Sequence, residues 1–164
     1  MKFCNINSKI LIAAALIMGS AFGQPSVFAQ SGQQNVVKPA VADRDVVIQI
    51  SDITENAVFY PVDIEGTRLE VLAVKAPDGT IRTAFNTCQV CYGSGRGFYK
   101  QQGTVLVCQN CGNRFRMSQV EVRSGGCNPV PIFPQYKKVT EQTITISKDF
   151  LKEAKAIFAR WKRV

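Results

Sequence analysis

Two C-x2-C pairs separated by sixteen residues dominate this chain: Cys88 and Cys91, then Cys108 and Cys111. A fifth cysteine, Cys127, follows in Gly125-Gly126-Cys127-Asn128-Pro129. Each pair fits on one tight turn, and the connecting segment is long enough for the two turns to face each other. That is the arrangement a tetrahedral metal site demands. The chain contains no histidine, so a metal held here is held mainly by sulfur. Two disulfides are the competing use of the same thiols.

The N-terminus indicates the compartment. Lys2 and Lys9 precede an unbroken apolar run from Ile10 to Met18, and Val27-Phe28-Ala29 supplies small residues before a cut. This is the layout of a cleaved signal peptide over residues 1–29. An uncleaved membrane anchor is the alternative, but the run is shorter than the roughly 20 residues a crossing needs. Cleavage would discard Cys4 and place the remaining five thiols outside the cytoplasm, where oxidation is favoured. There is no twin arginine, so export in the unfolded state is expected and metal would be acquired outside. All twelve acidic residues and all but two of the twenty basic ones lie beyond residue 29, leaving an exported chain of charge +6. With no arginine-rich tract and no interleaving of basic and aromatic residues, nucleic acid is excluded as a partner.

Residues 30–43 are polar and aperiodic and read as a flexible linker, with a single domain over 44–164. Val46 to Ile50 reads as a strand. Val58 to Ile64 carries Pro61 and reads as an edge strand. Arg68 to Lys75 alternates, with Leu69, Val71 and Ala73 on one face. Pro77-Asp78-Gly79 makes a turn into a strand from Ile81 to Asn86, which delivers the chain to Cys88. Gly103–Val107 leads into Cys108. Asn113–Met117, with Phe115 inward, Val120–Val122 and Thr143–Ile146 complete the expected strands. Ser147 is a helix N-cap with Asp149 in the first turn. The helix is expected to run to Lys162, burying Phe150, Leu151, Ala154, Ile157, Phe158 and Trp161 on one face.

Cys108-Gln109-Asn110-Cys111-Gly112 has the form of a metal knuckle, in which the glycine lets backbone amides turn toward sulfur. Four thiolates close such a site, which favours a structural or electron-transfer role over Lewis-acid catalysis. Gly93-Ser94-Gly95-Arg96-Gly97 lacks the Lys-Ser/Thr of a phosphate loop and reads as a compact connection beside the metal. No histidine follows either pair, which excludes covalent c-type haem, and histidine-based hydrolase dyads are absent. Cys127 sits on a constrained turn, with three readings open: a fifth thiol near the site, a replacement ligand or a disulfide partner.

The stretch from Asn86 to Ile132 closely resembles the FtrD-like family, described as membrane iron–sulfur proteins associated with bacterial iron uptake. The resemblance is carried by Cys88-x2-Cys91 with its glycine-rich loop, Val107-Cys108-x2-Cys111-Gly112, Phe115 and the tail Gly125-Gly126-Cys127-Asn128-Pro129-Val130-Pro131. Many members carry this domain at the C-terminal end of a multi-span membrane protein. The resemblance therefore implies a detached periplasmic version that works beside a membrane iron permease or another membrane redox protein. A looser similarity connects the order of the loops, strands and prolines (Pro131, Pro134, Tyr136) to Rieske-type domains, which use two histidines where this chain has only cysteines.

The expectation is a mainly β protein: a small antiparallel domain, Rieske-like or zinc-ribbon-like, with two metal-binding loops and a C-terminal helix. Its expected ligands are Cys88, Cys91, Cys108 and Cys111, with Cys127 as a fifth candidate. The cofactor implied is an iron–sulfur cluster or iron, with zinc as the alternative. The expected role is that of an electron-transfer accessory or metal-binding accessory rather than a stand-alone enzyme. A structural zinc domain docking a membrane partner and a thiol–disulfide redox protein are the other readings. No small-molecule substrate is identified.

Overall fold

A computed structural model describes residues 35–163. The expected signal peptide, Cys4 and the first residues of the expected linker lie outside the described residues. In chain order the strands are β1 (Val36–Val37), β2 (Val41–Ala42), β3 (Val46–Gln49), β4 (Val58–Ile64), β5 (Thr67–Lys75) and β6 (Ile81–Cys88). They continue with β7 (Tyr99–Gln102), β8 (Val105–Cys108), β9 (Arg114–Arg116), β10 (Pro129–Pro131), β11 (Lys138–Val139) and β12 (Thr143–Ile146), and α1 (Lys148–Glu153) follows.

The protein is mainly β, as expected. Its centre is the antiparallel meander β4–β5–β6, extended by β10 beyond β6 and by short strands beyond β4. Alternation on β5 explains how this sheet is used. Leu69, Val71 and Ala73 point to one core, while Leu72 and Val74 point to the other. Both faces are buried, so the segment reads as a nearly continuous apolar run rather than as apolar–polar alternation. The first core is closed by the β11–β12–β3 sheet and by the C-terminal segment, through Ile48, Ile144, Ile146, Leu151, Phe158 and Trp161. The second is closed by the β7–β8–β9 sheet and the cysteine loops, through Tyr99, Leu106, Phe115, Cys88, Cys91 and Cys108.

Four expectations need correction. β4 is not a bare edge, because β1 pairs with Val58–Phe59 and β2 with Val62–Asp63, both in parallel. Pro61, which has no N–H to donate, falls in the gap between those two short strands. The segment expected to be a flexible linker therefore contributes two strands. Val120–Val122 is a turn rather than a strand, since Glu121 takes a left-handed φ of 64°. Its carboxylate accepts from the Thr83 N–H at 2.7 Å and pairs with Lys137 at 2.5 Å, while Val120 is buried. The helix is also shorter than expected. Ser147 caps it through the Phe150 N–H, but after Glu153 the chain tightens to a 3-10 helix over Ala154–Phe158. The predicted face is nevertheless the one that packs inward.

Trp161 joins this face to the site. Its indole Nε1 donates to the Asn86 carbonyl at 2.7 Å, two residues before Cys88, and its ring meets Phe158 and Phe98 edge-on. Trp161→Ala should cost about 3 kcal/mol or more, as loss of a large buried aromatic does. Urea unfolding should show a lower midpoint at an unchanged slope.

Candidate metal centre

Strand pairing brings the thiols together. β6 ends at Cys88 and β8 ends at Cys108, so each C-x2-C turn begins where a strand stops. β10 runs antiparallel to β6 with Pro129 opposite Cys88, which sets the preceding residues Cys127 and Asn128 beside the first turn. The Sγ atoms of Cys88 and Cys127 lie 3.3 Å apart, and those of Cys111 and Cys127 lie 2.9 Å apart. Cys88, Cys91, Cys108 and Cys127 form a group whose sulfurs all lie within 4.8 Å of one another. Among the described residues the five cysteines form no disulfide.

Hydrogen bonds from the main chain and from nearby side chains hold the turns. The Cys91 N–H points at the Cys88 sulfur at 3.4 Å. In the second turn the Gly112 N–H donates to the Cys108 carbonyl at 2.9 Å, and the Cys108 N–H donates to the Asn113 carbonyl at 3.0 Å. Gly112 permits this with a left-handed φ of 72°. In the third turn Gly125 and Gly126 both adopt φ of 84°, where a side chain would be strained. Gln89 accepts from the Gly125 N–H at 2.6 Å, and the Asn113 side chain donates to the Cys127 carbonyl at 2.7 Å. Side chains beside the two C-x2-C turns thus hold the Cys127 turn in place.

Electrostatics divides the thiols. Burial pushes Cys108 up to about 12 and raises Cys91. Burial, with the adjoining Cys111 and Cys88 sulfurs, raises Cys127 as well. At Cys88 burial also acts upward, but hydrogen bonds from Tyr99 and from the Val90 and Cys91 N–H groups outweigh it and lower the thiol. Hydrogen bonding with Cys127, and then the Asn113 N–H, brings the exposed Cys111 down to about 7. Four sulfurs within 4.8 Å of one another, with Cys111 against Cys127, cannot all ionise without a cation between them, and a bound metal ion would remove that conflict by displacing protons.

The donor set fits a thiophilic metal. Zinc–sulfur bonds of about 2.3 Å place tetrahedral ligands about 3.8 Å apart, within the span of the inner four. Spacing along the chain pointed to Cys111 as the fourth ligand, whereas the tight quartet contains Cys127. Cys111 is exposed at the rim, so the site holds one sulfur more than a single tetrahedral ion uses.

Tyr99 is a site residue that sequence reasoning missed. It is 1% exposed, and its hydroxyl lies 3.8 Å from the Cys127 sulfur. The signal was present: a hairpin turn at Gly103-Thr104 sets Tyr99 directly opposite Cys108. Burial, followed by contact with the Cys88 and Cys127 sulfurs, raises its phenol so that it remains a hydrogen-bond donor. Removing a donor to a ligating sulfur changes the electronics of the metal–thiolate bond. Tyr99→Phe in cobalt-substituted protein should therefore shift the cobalt–thiolate absorption at unchanged cobalt stoichiometry.

Gly97 has a steric role, since a Cβ there would collide with the Cys91 carbonyl. Gly97→Ala should lower the metal content per chain. Gly93→Ala, in the same loop with nothing within 4 Å, should leave it unchanged.

Residues 50–158 match the family described as membrane iron-sulfur containing protein FtrD-like. Comparison with curated proteins and with solved structures gives no match.

Proposed function

Because the chain belongs to the FtrD-like family of membrane iron–sulfur proteins, we propose that it is an extracytoplasmic electron-transfer accessory of a bacterial iron-uptake system. The convergence of five cysteines, three of them buried, on one site is the observation that carries this reading. Cys88, Cys91, Cys108 and Cys127 are assigned as the inner ligands of an iron or iron–sulfur centre, and Cys111 as the outer thiol. Such a centre, when bound, supplies one-electron chemistry. The protein's own part is to bury three of the sulfurs in apolar surroundings, to direct backbone N–H groups and the Tyr99 hydroxyl at them, and to leave one edge open at Cys111. That open edge suits exchange with a partner better than chemistry on a bound substrate.

The permease association, the periplasmic setting and the signal peptide belong to this proposal. Among the described residues no helix is long and apolar enough to cross a membrane. A structural zinc domain is the second reading. Its support is that the inner quartet is compact enough for one ion and forms part of an apolar core.

Anaerobic purification followed by metal analysis and a visible spectrum separates these readings. Iron and a reducible visible band are expected. One zinc per chain and no colour would replace electron transfer with the structural role. Two disulfides and no metal would remove both. Within the proposal Cys108→Ser and Cys127→Ser should each abolish metal retention, and Cys111→Ser should retain most of it. Loss in C111S with retention in C127S would exchange the two assignments.

A further inference from the structure

We infer that the open edge of the cysteine centre is a docking face for an acidic protein. The sequence carries no aspartate or glutamate between Asp78 and Glu121. Glu121 itself is turned inward and paired with Lys137, whose side chain is 4% exposed. Across the segment that builds the cysteine turns the charged side chains are therefore basic. Arg96, Arg114 and Arg123 are exposed, and among the described residues none of them has a carboxylate partner. Arg114 reaches only the neutral Gln102 side chain, at 3.3 Å.

These charges meet the centre directly. An open depression of about 300 Å³ is lined by Asn113, Arg114, Arg123, Gly125, Cys127 and Asn128, so two unpaired guanidinium groups share it with an inner thiol. Beside the centre the chain exposes apolar side chains. Val90 and Tyr92 flank Cys91, and Val122 adjoins Arg123; they are 65%, 42% and 65% exposed. Exposed apolar and aromatic groups next to unpaired arginines have the composition of a protein interface. A free carboxylate would use the arginines but has no need of the valines and the tyrosine. Charge complementarity therefore selects a partner with clustered aspartate and glutamate around its own contact site. Opposite charges would steer that partner toward the exposed Cys111 edge.

The inference rests on the electron-transfer reading only in making the partner a redox protein. The docking itself is measured without electron transfer, so the two can fail separately. Dye-labelled acidic plant-type ferredoxin serves as the probe and a basic c-type cytochrome as its opposite, with fluorescence anisotropy on the purified protein at low ionic strength. Ferredoxin is expected to bind and the cytochrome is not. Affinity should fall at least about tenfold in roughly 0.5 M salt. The R114Q/R123Q pair should weaken binding about tenfold, and R114E/R123E further. K138E, which changes charge on β11 in the other sheet, should leave it unaltered. No salt-sensitive binding, equal loss in K138E, or full retention in R114E/R123E would overturn the inference. So would displacement of ferredoxin by free glutamate at equal carboxylate concentration, which would assign the depression to small carboxylates. A change in metal retention without a change in binding would assign the arginines to balancing the charge of the centre instead. Salt-sensitive binding at this face by a protein whose metal cannot be reduced would leave docking intact and remove electron transfer.

Discussion

One face of the β4–β5–β6 sheet has to be covered by elements too small to cover it unaided. Phe59, Leu72, Val74 and Ala84 point toward three short strands and three loops. Those loops meet through sulfur. Cys88, Cys91 and Cys108 belong to the same apolar cluster as Leu106 and Phe115, so the thiols form part of the core as well as a binding site. A metal held by them would tie together turns from distant parts of the chain, and its binding energy would become folding energy for that half of the domain. The opposite face needs no such help. There the β11–β12–β3 sheet and the C-terminal segment bury Ile48, Ile144, Leu151 and Phe158 in ordinary apolar packing.

This division of labour explains where the chemistry sits. The centre lies where β6 and β8 end, at the paired residues Cys88 and Cys108, against a β4–β5–β6 sheet whose other face is fixed by its own core. Trp161 connects the two halves by bonding to the Asn86 carbonyl next to the first cysteine turn. Lys162 adds a cation over the Trp161 ring at 4.1 Å. The first cysteine loop is pressed from both sides. Gly97 approaches the Cys91 carbonyl, and Gly95 lies against the backbone of Arg160 and Arg163.

Much of this was legible in the residues because it is local. The alternation of Leu69, Val71 and Ala73, the turn at Pro77-Asp78-Gly79 and the cap at Ser147 are short-range consequences of side-chain period and backbone preference. The knuckle at Cys108–Gly112 is local too. The Gly-Gly-Cys-Asn-Pro turn marked Cys127 for the site; its place in the tight quartet instead of Cys111 was not legible, because that depends on β10 pairing with β6, some forty residues away in the sequence. Glu121 misled for a related reason. Flanked by two valines it reads as a strand, yet a buried lysine from a distant segment and the Thr83 amide draw its carboxylate inward and turn the backbone. In the C-terminal segment the apolar face was correct and the helical pitch was not. Periodicity reports which residues face inward, and residues three apart share a face in both an α-helix and a 3-10 helix.

Only sulfur would surround the bound metal, from the cysteines alone for a single ion or from cysteines and sulfide for a cluster. X-ray absorption at the edge of the bound metal tests it most directly. Only sulfur neighbours are expected, four per metal, at about 2.3 Å. Nitrogen or oxygen donors making up half or more of that shell would contradict it.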